Sequence, residues 1–552
     1  MTTFNRLFEE SIKKYWESPA FTDFGGETLT YREAARKILL LQAIFHRREI
    51  KPGDKIALVG TNSTNWALVY LAAVTYGAVI VPILPEFHDE DVQHIVSHSE
   101  SLILFATDEL AARIDEERLE RLRTVVSLDT LELIYYRDKH LPEEVRRIEE
   151  EEREKIEAVT AQTFALPPDR DPEELAALVY TSGTSGFSKG AMLPYRSLLA
   201  NINFARDNMR LDMTERILSF LPLAHAYAAS FDFLFPFTVG CHLTFLGQMP
   251  TPKILIEAFA AVRPSLILFV PLIIEKLYKK RLAPVLRHGP VSVLVRLPGF
   301  SALIGRKIRR KLTATFGGNF KEIVVGGAAL NEEVENFMKK IRLPLTVGYG
   351  MTECGPLISY SPWYEHRAQS VGRAIPGLEC RIDSPDPVRQ PGEIVVRGPG
   401  VMLGYYKNRE ATAEVLSGEG WLRTGDLGLI DEDGFIYIKG RSKNMILGPS
   451  GQNIYPEEIE SRLNVLPYVQ ESLVVEEAGR LVALVYPDWD AVDAEREGKE
   501  DNRAWLEERM RENREEVNRN LPAYCRLAEL RLHGDAFEKT PTHKIKRYRY
   551  LT

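Results

Sequence analysis

Residues 180–190 read YTSGTSGFSKG and combine the residue types that bind phosphate. Glycines let backbone N–H groups approach an anion closely, hydroxyl side chains add neutral donors, and Lys189 adds a positive charge. The stretch is not a Walker A loop, because Ser188 precedes the lysine where a glycine is required and Gly190 follows it. A polar surface turn is the alternative. We favour a loop that holds a polyphosphate.

Three further positions carry a titratable side chain that is a candidate for catalysis or binding. Glu353 closes the motif GYGMTE, and an acidic residue between small residues after a buried strand has little structural purpose. Asp426 lies in a TGD sequence, which is also typical of an ordinary turn. His225 is one of eleven histidines, so packing or helix capping remains an alternative for it. Glu353 has the firmest case of the three.

The elements that must position these residues alternate between helix and strand over residues 1–170. Short apolar runs separated by helical lengths predict a parallel sheet. Thr30 and Glu33 have capping-box spacing and predict the start of a helix. The densely charged segment 136–158 predicts a solvated helix. The predicted strands of this region are 55–59, 78–81, 101–105 and 124–127.

The almost wholly apolar stretch 66–84 is long enough to span a bilayer. Gly77 and Pro82 interrupt it, and residues 78–81 are rich in β-branched side chains, whereas 66–76 favours a helix. We therefore predict a buried helix, a glycine turn and a buried strand.

After the glycine-rich loop, residues 231–240 (FDFLFPFTVG) are unusually aromatic. Core packing is the preferred interpretation, and the wall of an apolar substrate pocket is the alternative. Residues 301–313 predict a basic amphipathic helix, with a solvated face preferred over contact with an anionic membrane. The remaining predictions here are a helix at 193–211 and strands at 175–180, 217–220, 264–270, 321–325 and 343–347.

Residues 376–404 are rich in proline and glycine, and strands are predicted at 392–396 and 435–439. This pattern predicts a small β-rich subdomain. Beyond residue 440 the pattern is a mixed α+β one of roughly domain size, with strands at 471–475 and 481–486 and a helix at 503–520.

The chain of 552 residues exceeds the size of a single core, so two or more domains are expected. A net charge of -8 argues against nucleic acid as a partner. The four cysteines have no paired or metal-like spacing, and the N-terminus lacks a signal-peptide pattern. We expect a cytoplasmic enzyme, with weak peripheral membrane contact as a minority interpretation and a monomer or homodimer left open.

Several distant motifs occur in one characteristic order: YTSGTSGFSKG, LPLAHAY, GGAAL, GYGMTE, WLRTGDLG, IKGRSKNMI and KTPTHKIKR. With this set, residues 28–547 resemble the adenylate-forming superfamily and look most like fatty acyl-CoA ligases. The resemblance implies a large N-terminal domain of parallel-sheet α/β lobes plus a small β-rich subdomain, and then a small mobile α+β C-terminal domain. It implies a division into 1–440 and 441–552, with a hinge near 441–443.

The resemblance also implies roles for individual residues, with ATP, Mg²⁺ and coenzyme A as reactants or cofactors. Lys544 would be the adenylation lysine, Thr352 would reach the α-phosphate, and His225 would lie beside the substrate carboxylate. Thr181 and Glu353 would bind Mg²⁺, and Lys443 would occupy the hinge. The phosphate loop would comprise Thr181, Ser182, Gly183, Thr184, Ser185, Gly186 and Lys189. Gly327, Ala328 and Tyr349 would sandwich adenine, and Gly350 and Met351 would also belong to the cofactor site. Asp426 with Arg441 would bind the ribose.

The implied activity adenylates a fatty acid and then transfers the acyl group to coenzyme A. A ligase for aryl or short-chain acids, or one that loads a carrier protein, is the first alternative. A catalytically silent acyl- or adenylate-binding protein is a remote one. The family usually has glycine just before the adenylation lysine, whereas this chain has His543.

Overall fold

The structure, a computed structural model, describes residues 3–181, 188–282, 300–448, 452–496, 502–540 and 544–551. Two seven-stranded sheets flanked by helices form most of the molecule. One buried apolar core links them and extends from Phe4 to Ile436, with Val465 added from the C-terminal part. The predicted α/β class with parallel-sheet lobes is confirmed.

The first sheet contains the strands predicted between residues 55 and 127. Its strands are β3 (Lys55–Val59), β4 (Val79–Ile83), β5 (Ile103–Ala106), β6 (Thr124–Ser127), β7 (Leu133–Tyr136), β8 (Leu175–Thr181) and β9 (Lys189–Pro194). The order across the sheet is β7-β6-β5-β3-β4-β8-β9. The central strands are parallel, while β7 and β9 return antiparallel at the two edges.

Pro82 lies inside β4 rather than ending it. The strand predicted at 78–81 therefore continues to Ile83, and Pro82 pairs in register with Leu58. On the other side, β4 pairs with β8 only at Ile80 and Ala177. Because proline cannot donate a ladder hydrogen bond, this limited pairing is the expected consequence.

The stretch 66–84 forms the predicted helix, turn and strand. The helix is Thr64–Tyr76, Ser63 caps its start by accepting from the N–H of Trp66, and Gly77 ends it with a φ of 100°. Nearly every side chain in the helix is buried. No helix within the described ranges is long and apolar enough to cross a membrane.

The second seven-stranded sheet brings together segments from distant parts of the chain. Its order is β14-β13-β12-β10-β11-β1-β2, and all pairs except β1–β2 are parallel. The strands are β1 (Pro19–Asp23), β2 (Thr28–Thr30), β10 (Arg216–Ser219), β11 (His242–Phe245), β12 (Leu266–Phe269), β13 (Glu322–Val325) and β14 (Leu345–Val347).

The aromatic segment 231–240 packs in the core, as preferred from the sequence. Residues 229–234 form a π-helical turn that continues into a short α-helix, Phe235–Thr238. Phe237 is fully buried and stacks on Tyr31 with ring centroids 4.6 Å apart. Such ring pairs bury large apolar areas and tie the N-terminal helices to this segment.

The helices before residue 210 match the predicted positions closely. Thr30 and Glu33 form the predicted capping box, and the charged helix α6 pairs with α2 through Arg47 and Glu151 at 2.7 Å. The helix predicted at 193–211 is shorter, since it begins at Tyr195 and ends at Asn208. The charged helix predicted at 136–158 begins at Leu141 and ends at Glu157. The helices are α1 (Phe4–Lys14), α2 (Tyr31–Arg47), α3 (Thr64–Tyr76), α4 (Asp89–Ser99), α5 (Asp108–Ala111), α6 (Leu141–Glu157) and α7 (Tyr195–Asn208).

The following helices flank the second sheet and the C-terminal part. The predicted basic helix is present as α12, and α11 begins at Pro271. They are α8 (Ala226–Ala228), α9 (Phe235–Thr238), α10 (Pro252–Val262), α11 (Pro271–Leu277), α12 (Phe300–Thr315), α13 (Glu332–Lys340), α14 (Arg409–Val415), α15 (Pro456–Asn464), α16 (Trp489–Arg496) and α17 (Asn502–Arg519).

The proline- and glycine-rich region forms the predicted β-rich subdomain. Its four-stranded antiparallel sheet has the order β18-β19-β20-β21. A smaller three-stranded sheet precedes it and carries the GYGMTE motif at its start. The strands are β15 (Tyr349–Gly350), β16 (Leu357–Tyr360), β17 (Arg373–Ala374), β18 (Glu379–Asp383), β19 (Gly392–Arg397), β20 (Leu422–Ile430) and β21 (Ile436–Arg441).

The C-terminal part has apolar clusters of its own. One extends from Ile454 to Leu527, and a smaller one includes Leu473 and Phe537. Its sheet is mixed, because β25 pairs antiparallel with β24 and parallel with β26. The strands beyond residue 441 are β22 (Ile446–Leu447), β23 (Asn453–Ile454), β24 (Val469–Glu477), β25 (Arg480–Pro487) and β26 (Leu527–Leu532).

Candidate active site

The glycine-rich loop connects two paired strands. Thr181 at the end of β8 lies opposite Lys189 at the start of β9, and its hydroxyl donates to the Lys189 carbonyl at 3.4 Å. The strands therefore fix both ends of the predicted phosphate loop. Ser182, Gly183, Thr184, Ser185 and Gly186 lie outside the described residues, as does His543.

Glu353 lies in a short 3-10 turn, Thr352–Cys354, and is largely buried. Its backbone carbonyl accepts a hydrogen bond from the N–H of Met402 at 2.8 Å. Its side-chain Oε1 accepts from the hydroxyl of Tyr405 at 2.8 Å. The segment around residues 402–405 thus holds both the backbone and the carboxylate of the candidate metal ligand.

Tyr405 is a site residue that the sequence reasoning missed. Its ring lies under the ammonium group of Lys189, with Nζ 5.1 Å from the ring centroid. Burial and the neighbouring Glu353 raise the pKa of Tyr405, so the phenol stays a neutral donor. The sequence offered only the pair Tyr405–Tyr406 after Gly404, a weak signal without the fold.

Asp426 and Arg441 face each other across β20 and β21. Arg441 Nε lies 2.8 Å from Asp426 Oδ1, and the hydroxyl of Tyr349 donates to Asp426 Oδ2 at 2.7 Å. Burial and the Asp426 carboxylate raise the pKa of Tyr349 well above its ordinary value. Three residues from three sequence motifs therefore meet at one place.

The carboxyl end of β13 offers an open backbone surface. Gly327 and Ala328 are exposed there, and Gly327 has a φ of 93°. Gly326 serves packing instead, since a Cβ on it would lie 3.0 Å from the ring of Tyr227. Gly350 is required by a close backbone approach, because a Cβ there would lie 2.2 Å from the Pro356 carbonyl.

Met351 and Thr352 are both half-buried and continue directly from Gly350. The backbone N–H of Met351 donates to the carbonyl of Pro356 at 2.9 Å, which closes the turn before Glu353. The strand order places this turn next to the end of β13, since β13 and β14 are parallel neighbours. The predicted adenine and α-phosphate residues thus share one edge of the second sheet.

Lys544 approaches this edge from the C-terminal tail. The N–H of Thr540 donates to the Lys544 carbonyl at 2.8 Å, which closes the turn that carries the lysine. Lys544 is exposed to solvent, and the surrounding protein atoms desolvate its ammonium group only in part. This desolvation, with the nearby Arg441, lowers the pKa of Lys544 against the opposing effect of Asp426 and Glu353.

A partly buried ion pair anchors the Lys544 tail to the C-terminal sheet. Arg547 Nη1 lies 2.8 Å from Glu460 Oε2, and its Nη2 donates to the Val474 carbonyl at 3.1 Å. Lys546 pairs with Glu538 at 2.6 Å on the same hairpin. These contacts fix the tail to α15 and β24, so Lys544 would move only with that body.

The C-terminal part touches the rest of the chain through a few polar contacts. Asn331 Nδ2 donates to the Ser461 carbonyl at 2.6 Å, and Lys279 Nζ donates to the Asn464 carbonyl at 3.3 Å. Lys443 lies in a single 3-10 turn, Ser442–Asn444, that directly follows β21. Lys443 therefore lies at a junction between elements.

His225 lies at the N-cap position of α8 and is half-buried. A small apolar cavity lies close by and is lined by neighbours of His225, including Ala224, Ala226 and Ala229. Tyr227, two residues on, donates to the carbonyl of Val324 in β13 at 3.1 Å. This contact brings the His225 segment to the same sheet edge as Gly327.

The residues fit Mg²⁺ bound together with a nucleotide. Glu353 Oε2 has no hydrogen-bond partner within the described part of the chain, so one carboxylate oxygen remains to bind a cation. The half-buried Thr181 belongs to the hairpin whose strand β9 packs on the Glu353 turn. The described residues hold no group of three or more metal-ligating side chains. Mg²⁺ commonly uses one or two protein oxygens plus substrate phosphates, which matches this donor set.

A protein-family model described as "AMP-binding enzyme" matches residues 8–406. The long-chain-fatty-acid–CoA ligase FadD15 of Mycobacterium bovis is 31% identical over 84% of this chain and 78% of its own length. ATP-bound MatB from Rhodopseudomonas palustris superposes with a TM-score of 0.74 at 22% identity, covering 99% of this chain and 97% of its own. A benzoate CoA ligase from Burkholderia xenovorans LB400 gives 0.74 at 19% identity and covers 99% of each chain.

Proposed function

We propose that this chain, which belongs to the family of AMP-binding enzymes, is an AMP-forming ligase that joins a fatty acid to coenzyme A. In the first half-reaction, the acid carboxylate attacks the α-phosphorus of ATP, which gives acyl-AMP and releases pyrophosphate. In the second, the thiol of coenzyme A attacks the acyl carbon, a thioester bond forms, and AMP leaves. The thiol proton is released to solvent.

The observation that carries this proposal is the convergence of Lys544 on Asp426 and Glu353. Lys544 is more than 100 positions from each of them in sequence, yet Asp426 and Glu353 are close enough to influence the pKa of Lys544. A cation facing a ribose-binding carboxylate and a metal-binding carboxylate is positioned for the α-phosphate between them. Such positioning and charge neutralisation are the main source of catalysis in phosphoryl-group chemistry.

In the first half-reaction, Lys544 bridges the substrate carboxylate and an α-phosphate oxygen. The loop that ends at Lys189 holds the departing pyrophosphate, and Thr352 donates to the α-phosphate. Asp426 accepts from the ribose hydroxyls while Arg441 and Tyr349 hold its two oxygens in place. Gly327, Ala328 and the ring of Tyr349 enclose adenine.

Bound Mg²⁺ would neutralise phosphate charge between Glu353 and the Thr181 hydroxyl. The site therefore combines one cation-binding carboxylate with one loop lysine, and both face the leaving group. Because pyrophosphate carries most of the charge that departs, these contacts favour its release from the α-phosphorus.

The second half-reaction requires Lys544 to leave and the thiol to enter. We propose that residues 1–440 and 441–552 form two domains and that the turn at Lys443 is the hinge. The short 3-10 turn there and the few polar contacts across the interface favour this division. Hinges of this kind absorb a few backbone torsion changes while each body stays rigid.

For the acid, we propose a medium- to long-chain fatty acid. The support is the similarity to a ligase named for long-chain fatty acids. His225 would lie next to the substrate carboxylate. The alternative is an aryl or short-chain acid, because solved ligases of that class share this fold. A carrier-protein thiol in place of coenzyme A is a further alternative for the second step.

The test is acid-dependent ATP–pyrophosphate exchange with a panel from acetate to oleate, including benzoate. We expect exchange to be strongest with fatty acids, and we expect AMP and a thioester when coenzyme A is added. Exchange strongest with benzoate or acetate would overturn the acid class. No exchange with any acid would overturn the ligase proposal and favour a silent binding protein.

A further inference from the structure

We propose that Tyr405 is a positioning residue that holds Glu353 and Lys189 in their separate binding positions. This inference deepens the proposed function and rests on it. Tyr405 touches both residues directly: its hydroxyl donates to Glu353 and its ring face lies under Lys189. It therefore connects the candidate metal ligand to the candidate phosphate ligand.

The backbone around Tyr405 is fixed from two sides. Residue 405 forms an antiparallel bridge with Ala191 of β9, and its N–H donates to the hydroxyl of Thr412 at 2.9 Å. The next residue, Tyr406, donates its N–H to the carbonyl of Gly190 at 2.8 Å. The ring is thus locked to the same strand that ends the phosphate loop.

The hydroxyl of Tyr405 selects one orientation of Glu353. It lies 2.8 Å from Oε1, and a neutral donor bound to a carboxylate is a strong, directional contact. The other oxygen, Oε2, is then left for a cation. Without the hydroxyl, the carboxylate could rotate, and the oxygen needed for Mg²⁺ would be aimed correctly for only part of the time.

The ring and the hydroxyl of Tyr405 also contact two opposite charges at different places. The ammonium of Lys189 lies 5.1 Å from the ring centroid, whereas Glu353 binds at the hydroxyl end. Opposite charges in a confined cleft attract, and a direct Lys189–Glu353 ion pair would occupy both ligands before ATP arrives. The ring face gives the ammonium a cation–π contact that competes with such an ion pair.

These two contacts can be separated by mutation. Tyr405→Phe removes the hydroxyl and keeps the ring, so it should impair only the orientation of Glu353. Tyr405→Leu removes both, so it should also allow Lys189 and Glu353 to pair. Tyr406→Phe is the matched control. The hydroxyl of this adjacent tyrosine donates at 3.3 Å to Glu100, and its side chain makes neither of the two contacts that Tyr405 makes.

The experiment measures cation binding as well as activity. Mn²⁺ binding to full-length enzyme with a non-hydrolysable ATP analogue is followed by electron paramagnetic resonance, and ATP–pyrophosphate exchange is titrated with Mg²⁺. For Tyr405→Phe we expect about tenfold weaker Mn²⁺ binding and an equally raised Mg²⁺ requirement, with kcat at saturating Mg²⁺ nearly unchanged. Tyr405→Leu should also raise the KM for ATP, and Tyr406→Phe should match the wild type.

The outcomes distinguish this inference from the proposed function. Unchanged Mn²⁺ binding in Tyr405→Phe, with weakened binding in Glu353→Gln, would overturn the positioning role and leave the ligase proposal standing. A fall in kcat with no change in cation binding would also overturn it, because that pattern indicates general disruption. If wild-type enzyme binds Mn²⁺ with the analogue but exchanges no pyrophosphate with any acid, the proposed function fails instead.

Discussion

The hydroxyl of Tyr349 donates a 2.7 Å hydrogen bond to Asp426, and so joins the wall of the predicted adenine site to the predicted ribose ligand. Arg441 holds the other Asp426 oxygen at 2.8 Å. The carboxylate is therefore oriented before nucleotide binds. Tyr349 therefore orients Asp426 in addition to its predicted place in the adenine site.

Replacing Tyr349 by phenylalanine keeps a ring for adenine and frees one oxygen of Asp426. Loss of a hydrogen bond to a charged acceptor should raise the KM for ATP about tenfold, with a smaller effect on kcat. Preference for ATP over 2′-deoxy-ATP should fall as well, because the ribose ligand is less well oriented. Steady-state exchange kinetics with both nucleotides measure this.

The control for that variant is Tyr437→Phe, which removes a similar 3.0 Å hydrogen bond to Asp431 toward the other end of β21. It should leave the KM for ATP unchanged. Equal effects of both substitutions would show that the Tyr349 variant acts through general loosening of the β-rich sheet.

The lowered pKa of Lys544 predicts a pH dependence for the first half-reaction. In the proposed role Lys544 acts as a cation, and its positive charge is lost as pH rises through its pKa. That pKa lies below the usual lysine value of about 10.4. As pH rises, kcat/KM for exchange should therefore begin to fall before pH reaches about 10.4. Lys544→Arg should be less active but lack this alkaline fall, since arginine stays charged. An identical fall in both enzymes would assign it to another group.

Loss of the contact between Asn331 and Ser461 should affect the two half-reactions differently. The Asn331 side chain caps α13 by accepting hydrogen bonds from the N–H groups of Glu333 and Val334. Asn331→Ser can still make this cap, but serine is too short to reach the Ser461 carbonyl. We expect adenylation to slow about fivefold because this domain orientation loses a hydrogen bond. Thioester formation from supplied acyl-AMP should be maintained, and an equal loss in both assays would contradict the role of this orientation.

Phe237 should contribute strongly to the stability of the N-terminal core. It stacks on Tyr31 at 4.6 Å and on Phe21 at 5.2 Å, and it is fully buried. Phe237→Ala should lower the free energy of unfolding by about 3–5 kcal/mol, as measured by urea denaturation. Tyr364→Ala, at a position 58% exposed, should change it by less than about 0.5 kcal/mol.

Much of the fold was predictable because its strands are short apolar runs between turn signals. The run at 124–127 forms β6 with the same bounds, and the stretch 66–84 folds as helix, glycine turn and strand. The insertion of β1 beside β11 was not predictable. That pairing joins Phe21 to Leu243, and no local pattern indicates a partner so distant in sequence.

The site was predictable to the level of motifs but not of contacts. Glu353, Asp426 and Lys544 lie in recognisable stretches, whereas Tyr405 gained its interest only from its neighbours. The strand β9 was also missed, because a lysine followed by small and apolar residues does not by itself predict a hairpin. Antiparallel pairing with β8 supplies what the local pattern lacks.

The central claim is that Lys544 serves only the first half-reaction. Lys544→Ala should abolish acid-dependent ATP–pyrophosphate exchange and leave the transfer of supplied acyl-AMP to coenzyme A largely intact. Both assays are run on the same preparation of the full-length variant, with its far-ultraviolet circular dichroism compared with the wild type. We expect loss of the first activity with retention of the second. Equal loss of both, in a correctly folded variant, would contradict it.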